Sequence, residues 1–298
     1  MKVFFNQGYS GPARGQLPGE EVRVKQEIQW AGERWLVPSV YVCGQGLVVD
    51  LCRPVAWARM QAFIDRWDLL KKPDEVDFTL TERRQIALEH PLQNRLQLKI
   101  QVNGRALRAT QGSGFSYMMD LSKGDPDAEE MLLHYQLDRG CAWAFFRQSF
   151  SWATTRKPRI REVMMTLVHD CEKTLGPQLT LLPGETAECT HPVTGVRYAL
   201  RVLEMKKIDI LEGLAAYSMA YQTDPALKRT ELRLEDSDEG VSRRLRRGGA
   251  IGWIGGGAHS GYDIACSSVY EADKLPEHIA WQTYFYTKTI DDAVLRLI

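Results

Sequence analysis

Residues 21 to 31, EVRVKQEIQWA, alternate between apolar and polar side chains, and this alternation constrains the fold more than any other feature. Val22, Val24, Ile28 and Trp30 are apolar, whereas positions 23, 25, 27 and 29 carry polar side chains. A two-residue period is typical of a β-strand with one face in a core and the other in water. The segment therefore predicts a half-buried strand in an antiparallel sheet.

A tight turn after this strand is predicted to form a hairpin. A type II′ turn prefers glycine in its first position, so Gly32 and Glu33 could make a two-residue loop. In that register, apolar residues of one strand face apolar residues of the other, and polar residues face polar residues. The predicted cross-strand pairs are Trp30 with Trp35, Ile28 with Val37, Gln26 with Ser39 and Val24 with Tyr41. The two tryptophans are interpreted as core residues that stabilise the hairpin. The alternative is an exposed aromatic platform that binds a ligand.

Further strand and helix patterns follow along the chain. A third strand is predicted in LVVDLC, a helix from Pro54 through PVAWARMQAFIDRWDLLKK, and a second helix from Pro126 to about Asp138. The alternating segment from Leu96 turns back at Asn103-Gly104, which is a strong hairpin signal. Strands are linked by short turns more often than by helices. We therefore predict a mainly β fold, bordering on α+β, with an antiparallel β-sandwich or jelly-roll-like sheets and two covering helices.

A weak internal similarity suggests where two domains would meet. HPLQNRLQLKIQV from His90 and HPVTGVRYALRVL from His191 both place His-Pro and a turn before an alternating strand. We predict one β-rich domain with two helices over residues 1–155 and a second over 156–298, with the boundary in TTRKPR. A single large domain is the alternative for a chain of 298 residues.

Composition limits the classes of partner. The chain has 38 basic and 38 acidic residues and no net charge, so no overall field attracts nucleic acid, an anionic membrane or an acidic substrate. Nucleic acid and membrane partners are therefore not expected. Six scattered cysteines without a CxxC motif fit reduced thiols in the cytoplasm, and no signal peptide is recognisable.

The only metal-like spacing lies in CTH, where Cys189 and His191 resemble part of a zinc knuckle. The HDC segment at residues 169 to 171 adds ligand types, but not at a spacing that zinc sites use. A packed cysteine and a histidine that begins a turn explain these residues better. We predict no metal and no cofactor.

The glycine-rich segment 243–268, RRLRRGGAIGWIGGGAHSGYDIACSS, is the most unusual in composition. Its amide groups fit a phosphate, but it lacks the lysine and hydroxyl residue of a P-loop and the spacing of a dinucleotide fingerprint. A loop that crosses between sheets is the preferred interpretation. The arginines that precede it are anion-binding candidates, although EDSDE at residues 235 to 239 offers them partners. These candidates are Arg243, Arg244, Arg246 and Arg247.

Candidate catalytic residues occur in the same segment. His259 and Asp263, with Ser260 and Cys266, have the chemistry of a nucleophile, a base and an orienting group. The GxSxG motif of a nucleophile elbow is missing. We therefore expect a non-enzymatic binding or assembly module with an unidentified carbohydrate or protein ligand.

Two alternatives to that module remain. One is an enzyme or an anion- or nucleotide-binding protein that uses the loop 248–263. The other is a homo-oligomer formed through edge strands such as HIAWQTYFYTKT, which is rich in β-formers and low in charge.

Overall fold

The computed structural model describes residues 1–7, 14–72, 78–118, 125–227, 231–238 and 261–298. Within these ranges the fold is mainly β, with antiparallel sheets and three helices, which confirms the predicted class. None of the helices in this part of the chain is long and apolar enough to cross a membrane.

The chain divides into two compact units. Unit 1 comprises Met1–Asp74, Ile86–Asp170 and Ile290–Ile298, and unit 2 comprises Glu75–Gln85 and Cys171–Thr289. The limits of these units lie elsewhere than the predicted boundary at residue 155. Strand pairing explains the difference, because residues Val163–His169 pair with Leu96–Val102.

Unit 1 is built from two antiparallel sheets that share one core. The first sheet has the order β1-β2-β3-β7-β6, and the second has the order β17-β8-β4-β5. The strands are β1 Glu20–Trp30, β2 Glu33–Val42, β3 Gly46–Val55, β4 Leu96–Val102, β5 Arg105–Ala106, β6 Arg108–Tyr117, β7 Ala142–Ser151, β8 Val163–His169 and β17 Ala293–Arg296. Alternate residues of both sheets, among them Val49, Leu51, Ile100 and Met165, meet in this core. The arrangement is the β-sandwich that the alternation predicts.

One helix packs on the core-facing side of the first sheet, and another covers the opposite face of this sheet. Met60 of α1 (Trp57–Trp67) packs on Val55, Ala142 and Ala144, and α3 (Pro126–Tyr135) packs through residues such as Met131. The start of α3 is as predicted, since the Asp125 side chain caps the helix by accepting from the Asp127 amide at 3.0 Å. The helix α3 ends at Tyr135, earlier than the predicted end near Asp138.

Two details of the helix prediction are wrong. Pro54 does not begin a helix, because it lies in β3 opposite Trp143, and α1 starts only after Ala56. A third helix, α2 at Leu80–Glu89, follows the charged connector where none was expected. Its described residues include no fully buried side chain. The amphipathic pattern that reveals a surface helix in sequence is therefore missing.

The predicted register of the first hairpin is also wrong, and the predicted faces hold only near the turn. The turn residues are Ala31 and Gly32, both with positive φ of 56° and 70°, which is the type I′ geometry. Ile28 therefore faces Trp35, and Gln26 faces Val37. Because the slip near the turn is by two residues, Ile28, Trp35 and Val37 stay on their predicted face. Irregularities after Arg23 and after Leu36 change the register further along, so Tyr41, predicted to face Val24 in the core, packs with Cys43 and Val48 instead.

Unit 2 also contains two antiparallel sheets around a common core. One has the order β10-β11-β12-β14, with β15 paired to β12, and the other has the order β13-β16-β9. The strands are β9 Glu172–Thr180, β10 Thr186–Thr190, β11 Arg197–Leu211, β12 Leu214–Asp224, β13 Leu232–Asp236, β14 Asp263–Cys266, β15 Tyr270–Glu271 and β16 Ala280–Thr287. Leu200, Met219, Trp281 and Phe285 lie in the core. β16, the strand proposed as a pairing edge, has a partner on both sides and is not an edge.

Candidate functional site: an arginine-lined cavity in unit 1

A cavity of about 550 Å³ lies in unit 1, bordered by the β1–β2 turn, the end of β3, one face of α1, the segment before β4 and the end of β8. Its size is within the range of small-molecule sites. The lining residues are Ala31, Glu33, Trp35, Arg53, Arg59, Ala62, Phe63, Arg66, Leu88, Glu89, His90, Pro91, Gln93, Arg95 and His169. Four of them are arginines and two are glutamates, so with neutral histidines the lining carries two net positive charges.

One side of the cavity is formed by a single face of α1. Arg59, Ala62, Phe63 and Arg66 all line it, and positions three and four apart lie on the same side of a helix. Phe63 is buried, whereas the side chains of Arg59 and Arg66 are 55% and 64% exposed. The helix therefore combines an apolar floor with exposed cationic groups at the opening.

Arg53 is the buried cation of the site, with only 3% of its surface exposed. Its Nη2 atom donates to the carbonyls of Pro91 and Gln93 at 2.8 and 3.0 Å, and its guanidinium lies 5.3 Å from the Trp35 ring centre. Burial lowers the pKa of Arg53, and the nearby Arg59 charge adds to this, while Glu33 opposes it. Among the described residues, the buried Nε atom has no hydrogen-bond partner.

Two carboxylates compensate part of the positive charge. Glu33 Oε1 lies 2.5 Å from Arg59 Nη1 and 3.4 Å from Arg53 Nη1. Glu89 Oε2 lies 3.0 Å from Arg66 Nη1 and accepts from the Trp67 indole at 3.2 Å. Each carboxylate thus holds an arginine of α1 in place.

Two histidines complete the polar lining. Burial lowers the pKa of His90, helped by the Arg53 charge, so this imidazole is neutral near pH 7. Its Nδ1 atom accepts from the Leu92 amide at 3.2 Å. The His169 ring packs edge-on against Trp30 at 5.6 Å, and no described residue hydrogen-bonds its buried Nδ1.

These groups together suit the binding of a small oxyanion. Guanidinium groups donate to carboxylates and phosphates in a planar, two-point geometry. Burial of Arg53 beside Trp35 lowers the local dielectric and strengthens such a contact. A buried donor without a partner costs free energy, and the described residues leave the hydrogen bonding of Arg53 incomplete at Nε.

The tryptophans proposed as an exposed platform are both buried. Trp30 and Trp35 are 8% and 4% exposed, and their ring centres lie 6.0 Å apart. The Trp30 indole donates to the Asp291 carbonyl at 2.8 Å, and the Trp35 indole donates to the Trp30 carbonyl at 3.2 Å. The core interpretation therefore agrees with their placement. Ligand binding by Trp35 stays a prediction, because this ring also lines the cavity.

Most candidates from the glycine-rich segment lie outside the described residues. This applies to Arg243, Arg244, Arg246, Arg247 and His259. Asp263 is described: it begins β14, is exposed and pairs with Tyr221 in the sheet. This pairing accounts for its place in the sheet, and its catalytic role stays a prediction.

Cys189 and His191 are both accounted for by packing and hydrogen bonds. Burial raises the pKa of Cys189 to about 11. His191 Nδ1 accepts from the amides of Val193 and Thr194 at 3.1 and 3.3 Å, and Nε2 lies 2.9 Å from Thr287 Oγ1. Both ring nitrogens are therefore occupied. The described part of the chain contains no cluster of three His, Cys, Asp or Glu residues suited to a metal.

Of the cavity lining, the sequence pointed only to Trp35 as a ligand-binding candidate and to His169 as a possible metal-ligand type in the HDC segment. A signal was present in β3, GLVVDLCRPV, where Asp50 and Arg53 interrupt an apolar run. Charged residues are seldom fully buried unless they are paired. Charges within a strand that reads as buried therefore indicate either an internal ion pair or a binding site, and here Asp50 serves the first purpose and Arg53 lines the cavity.

Comparison of the chain with protein-family models, with curated proteins and with solved structures finds no match.

Proposed function

We propose that the protein is a binding module whose unit 1 takes a small anionic ligand, a carboxylate or a phosphate, in the arginine-lined cavity. The observation that carries the proposal is Arg53, a buried arginine of the cavity lining whose Nε lacks a partner among the described residues. The excess of arginine over glutamate in the lining supports the sign of the ligand charge.

The cavity supports this ligand class better than the other classes considered. A sugar platform needs exposed aromatic faces, whereas Trp30 and Trp35 are buried. A protein ligand needs a broad surface, whereas the site is concave and lined by charges. Anion binding was predicted for the loop 248–263, and the cavity supplies a second location for it.

A cytoplasmic location remains part of this proposal. All six cysteines are free thiols, which suits a reducing compartment.

Binding is tested by titration calorimetry and thermal unfolding of the whole chain with inorganic phosphate, malonate, citrate and glucose. We expect the anions, but not glucose, to raise the melting temperature, because a ligand that prefers the folded state stabilises it by mass action. Added chloride should weaken binding only partly, since the deep arginine is shielded from salt.

Arg59→Gln identifies the site. Its side chain is 55% exposed, so the fold should persist, and loss of one charged hydrogen bond should weaken binding about tenfold. Arg34→Gln is the matched control, because Arg34 pairs with Glu27 on the same hairpin and does not line the cavity. An equal loss in both variants, or no binding of any anion to the wild type, contradicts the proposal.

A further inference from the structure

Glu33 stands where a ligand oxyanion would bind in the cavity. It is the first residue of β2, directly after the Ala31-Gly32 turn. Arg59 from α1 and Arg53 from β3 reach the same carboxylate oxygen of Glu33, at 2.5 and 3.4 Å. Two guanidinium groups from separate elements thus already surround one carboxylate.

We propose that Glu33 is an internal occupant of the oxyanion seat formed by Arg53 and Arg59, and that the ligand is a carboxylate that competes with Glu33 for these arginines. This inference rests on the proposed function, and it specifies the ligand class and the residue that limits its affinity. A carboxylate is favoured over a phosphate because the seat already accommodates a carboxylate.

The seat persists when Glu33 leaves. Arg53 is held by the carbonyls of Pro91 and Gln93, so its guanidinium position does not depend on Glu33. Arg59, with its exposed side chain, is free to follow an incoming anion. The Glu33 side chain is itself 23% exposed at the opening, so it can turn toward water.

Removal of Glu33 should therefore open the seat and leave Arg53 without a carboxylate partner among its described contacts. A buried guanidinium without a counter-ion destabilises the folded state. A carboxylate from solution that takes the vacant position restores this interaction. The free energy of binding then includes relief of this destabilisation, which makes the variant the tighter binder.

The test compares Glu33→Ala with the wild type in thermal unfolding titrations with acetate, using chloride at the same ionic strength as the reference. We expect a lower melting temperature for Glu33→Ala in chloride, a selective recovery in acetate and about tenfold tighter acetate binding than in the wild type. Glu27→Ala is the matched control. Glu27 pairs with Arg34 on the same hairpin but is 46% exposed and outside the cavity, so acetate and chloride should act alike on that variant.

The outcomes separate this inference from the proposed function. If the wild type binds malonate and Glu33→Ala binds malonate and acetate no more tightly, the competition by Glu33 is wrong while the anion site stands. If acetate rescues Glu33→Ala but the wild type binds no anion, the internal occupant is supported and the proposed function is contradicted. If neither protein responds to acetate, malonate or phosphate, both fail.

A second variant covers the case in which Glu33→Ala does not fold. Glu33→Gln keeps the size of the side chain and removes its charge, so it should also bind malonate more tightly than the wild type. Weaker malonate binding by Glu33→Gln would show that Glu33 positions the arginines for the ligand, and it would overturn the inference.

Discussion

Asp50 and Arg147 face each other across β3 and β7 and form a two-point salt bridge in the interior of unit 1. Arg147 Nε and Nη2 donate to the two oxygens of Asp50 at 2.7 and 2.8 Å, and the Asp50 side chain is fully buried. Tyr135 of α3 donates to Asp50 Oδ2 at 2.6 Å, and its hydroxyl oxygen lies 2.6 Å from that of Tyr41. A strand, its neighbour and a helix are thus joined by one buried polar network.

Asp50→Asn should destabilise unit 1 strongly. The substitution leaves Arg147 buried without a counter-charge, and breaking a buried ion pair in this way costs about 3 to 5 kcal/mol. Urea unfolding followed by circular dichroism measures the change in the free energy of unfolding. The double variant Asp50→Leu with Arg147→Leu should recover much of that loss, because no charge remains buried. A double variant as unstable as Asp50→Asn would contradict this reading.

Gly46→Ala should be far more destabilising than Gly44→Ala, although Gly44 lies only two residues before Gly46, the first residue of β3. A Cβ at Gly46 would overlap the Phe150 carbonyl oxygen and the Phe5 ring, whereas nothing lies within 4 Å of a Cβ at Gly44. The Phe150 carbonyl belongs to β7 and has no freedom to move aside. We expect a loss of about 3 kcal/mol for Gly46→Ala and a change within about 0.5 kcal/mol for Gly44→Ala. Similar melting temperatures for the two variants would show that the strand shifts to make room.

Glu21 should make stability depend on pH on the acidic side. Burial raises the pKa of Glu21, but hydrogen bonds from Ser39 and His134 outweigh it and hold the pKa below its ordinary value of 4.5. A lowered folded-state pKa contributes stability that is fully present above the unfolded pKa and is lost as the pH falls below it. Glu21→Gln should thus be less stable than the wild type at pH 7, by less than about 1 kcal/mol.

The difference between Glu21→Gln and the wild type should shrink below pH 4.5 and disappear once the pH has fallen through the lowered folded-state pKa of Glu21, where the wild-type carboxyl is also neutral. Urea unfolding of both proteins between pH 7 and pH 3 measures this difference in the free energy of unfolding. Comparing the two proteins at each pH cancels the titration of groups that do not interact with Glu21. A difference that stays constant over this range would show that the Glu21 charge does not contribute.

The sequence predicted faces and strand pairing better than register or site. Period-two alternation identifies which residues of β1 and β4 point inward, because burial of one face imposes it. The register of the first hairpin depends on Ala31 adopting a positive φ of 56°. That conformation is uncommon for a residue with a side chain, so the sequence favours a turn at Gly32-Glu33, with glycine in the first position.

The His-Pro similarity has a local structural counterpart. His90 Nδ1 accepts from the amide of Leu92, and His191 Nδ1 accepts from the amide of Val193. Strands begin at Leu96 and Arg197, respectively. A shared turn before a strand is thus visible in both units, whereas the duplication of a whole β unit stays a prediction.

The cavity could not be predicted from the sequence because its residues come from distant segments. Arg53, Arg59 and His169 are brought together only by packing of β3, α1 and β8. Each residue has an ordinary local position: Arg53 and His169 lie near strand ends, and Arg59 lies on the exposed side of a helix. In the sequence, only the charge of Arg53 within an apolar strand indicates the site. Whether such a charge marks an ion pair or a binding site depends on the residues that pack beside it.

Trp35→Ala provides the final test of whether the hairpin tryptophans are core residues. Trp35 is 4% exposed and packs with Trp30 and Val37 in the sandwich core, and its ring lies beside the Arg53 guanidinium. Loss of the ring leaves a large void and removes the cation–π contact, so we expect a destabilisation of about 3 to 5 kcal/mol in urea unfolding. Leu133→Ala is the control, because Leu133 is 68% exposed and should change stability by no more than about 0.5 kcal/mol. If Trp35→Ala keeps wild-type stability yet loses anion binding, the ring acts in the cavity and not in the core.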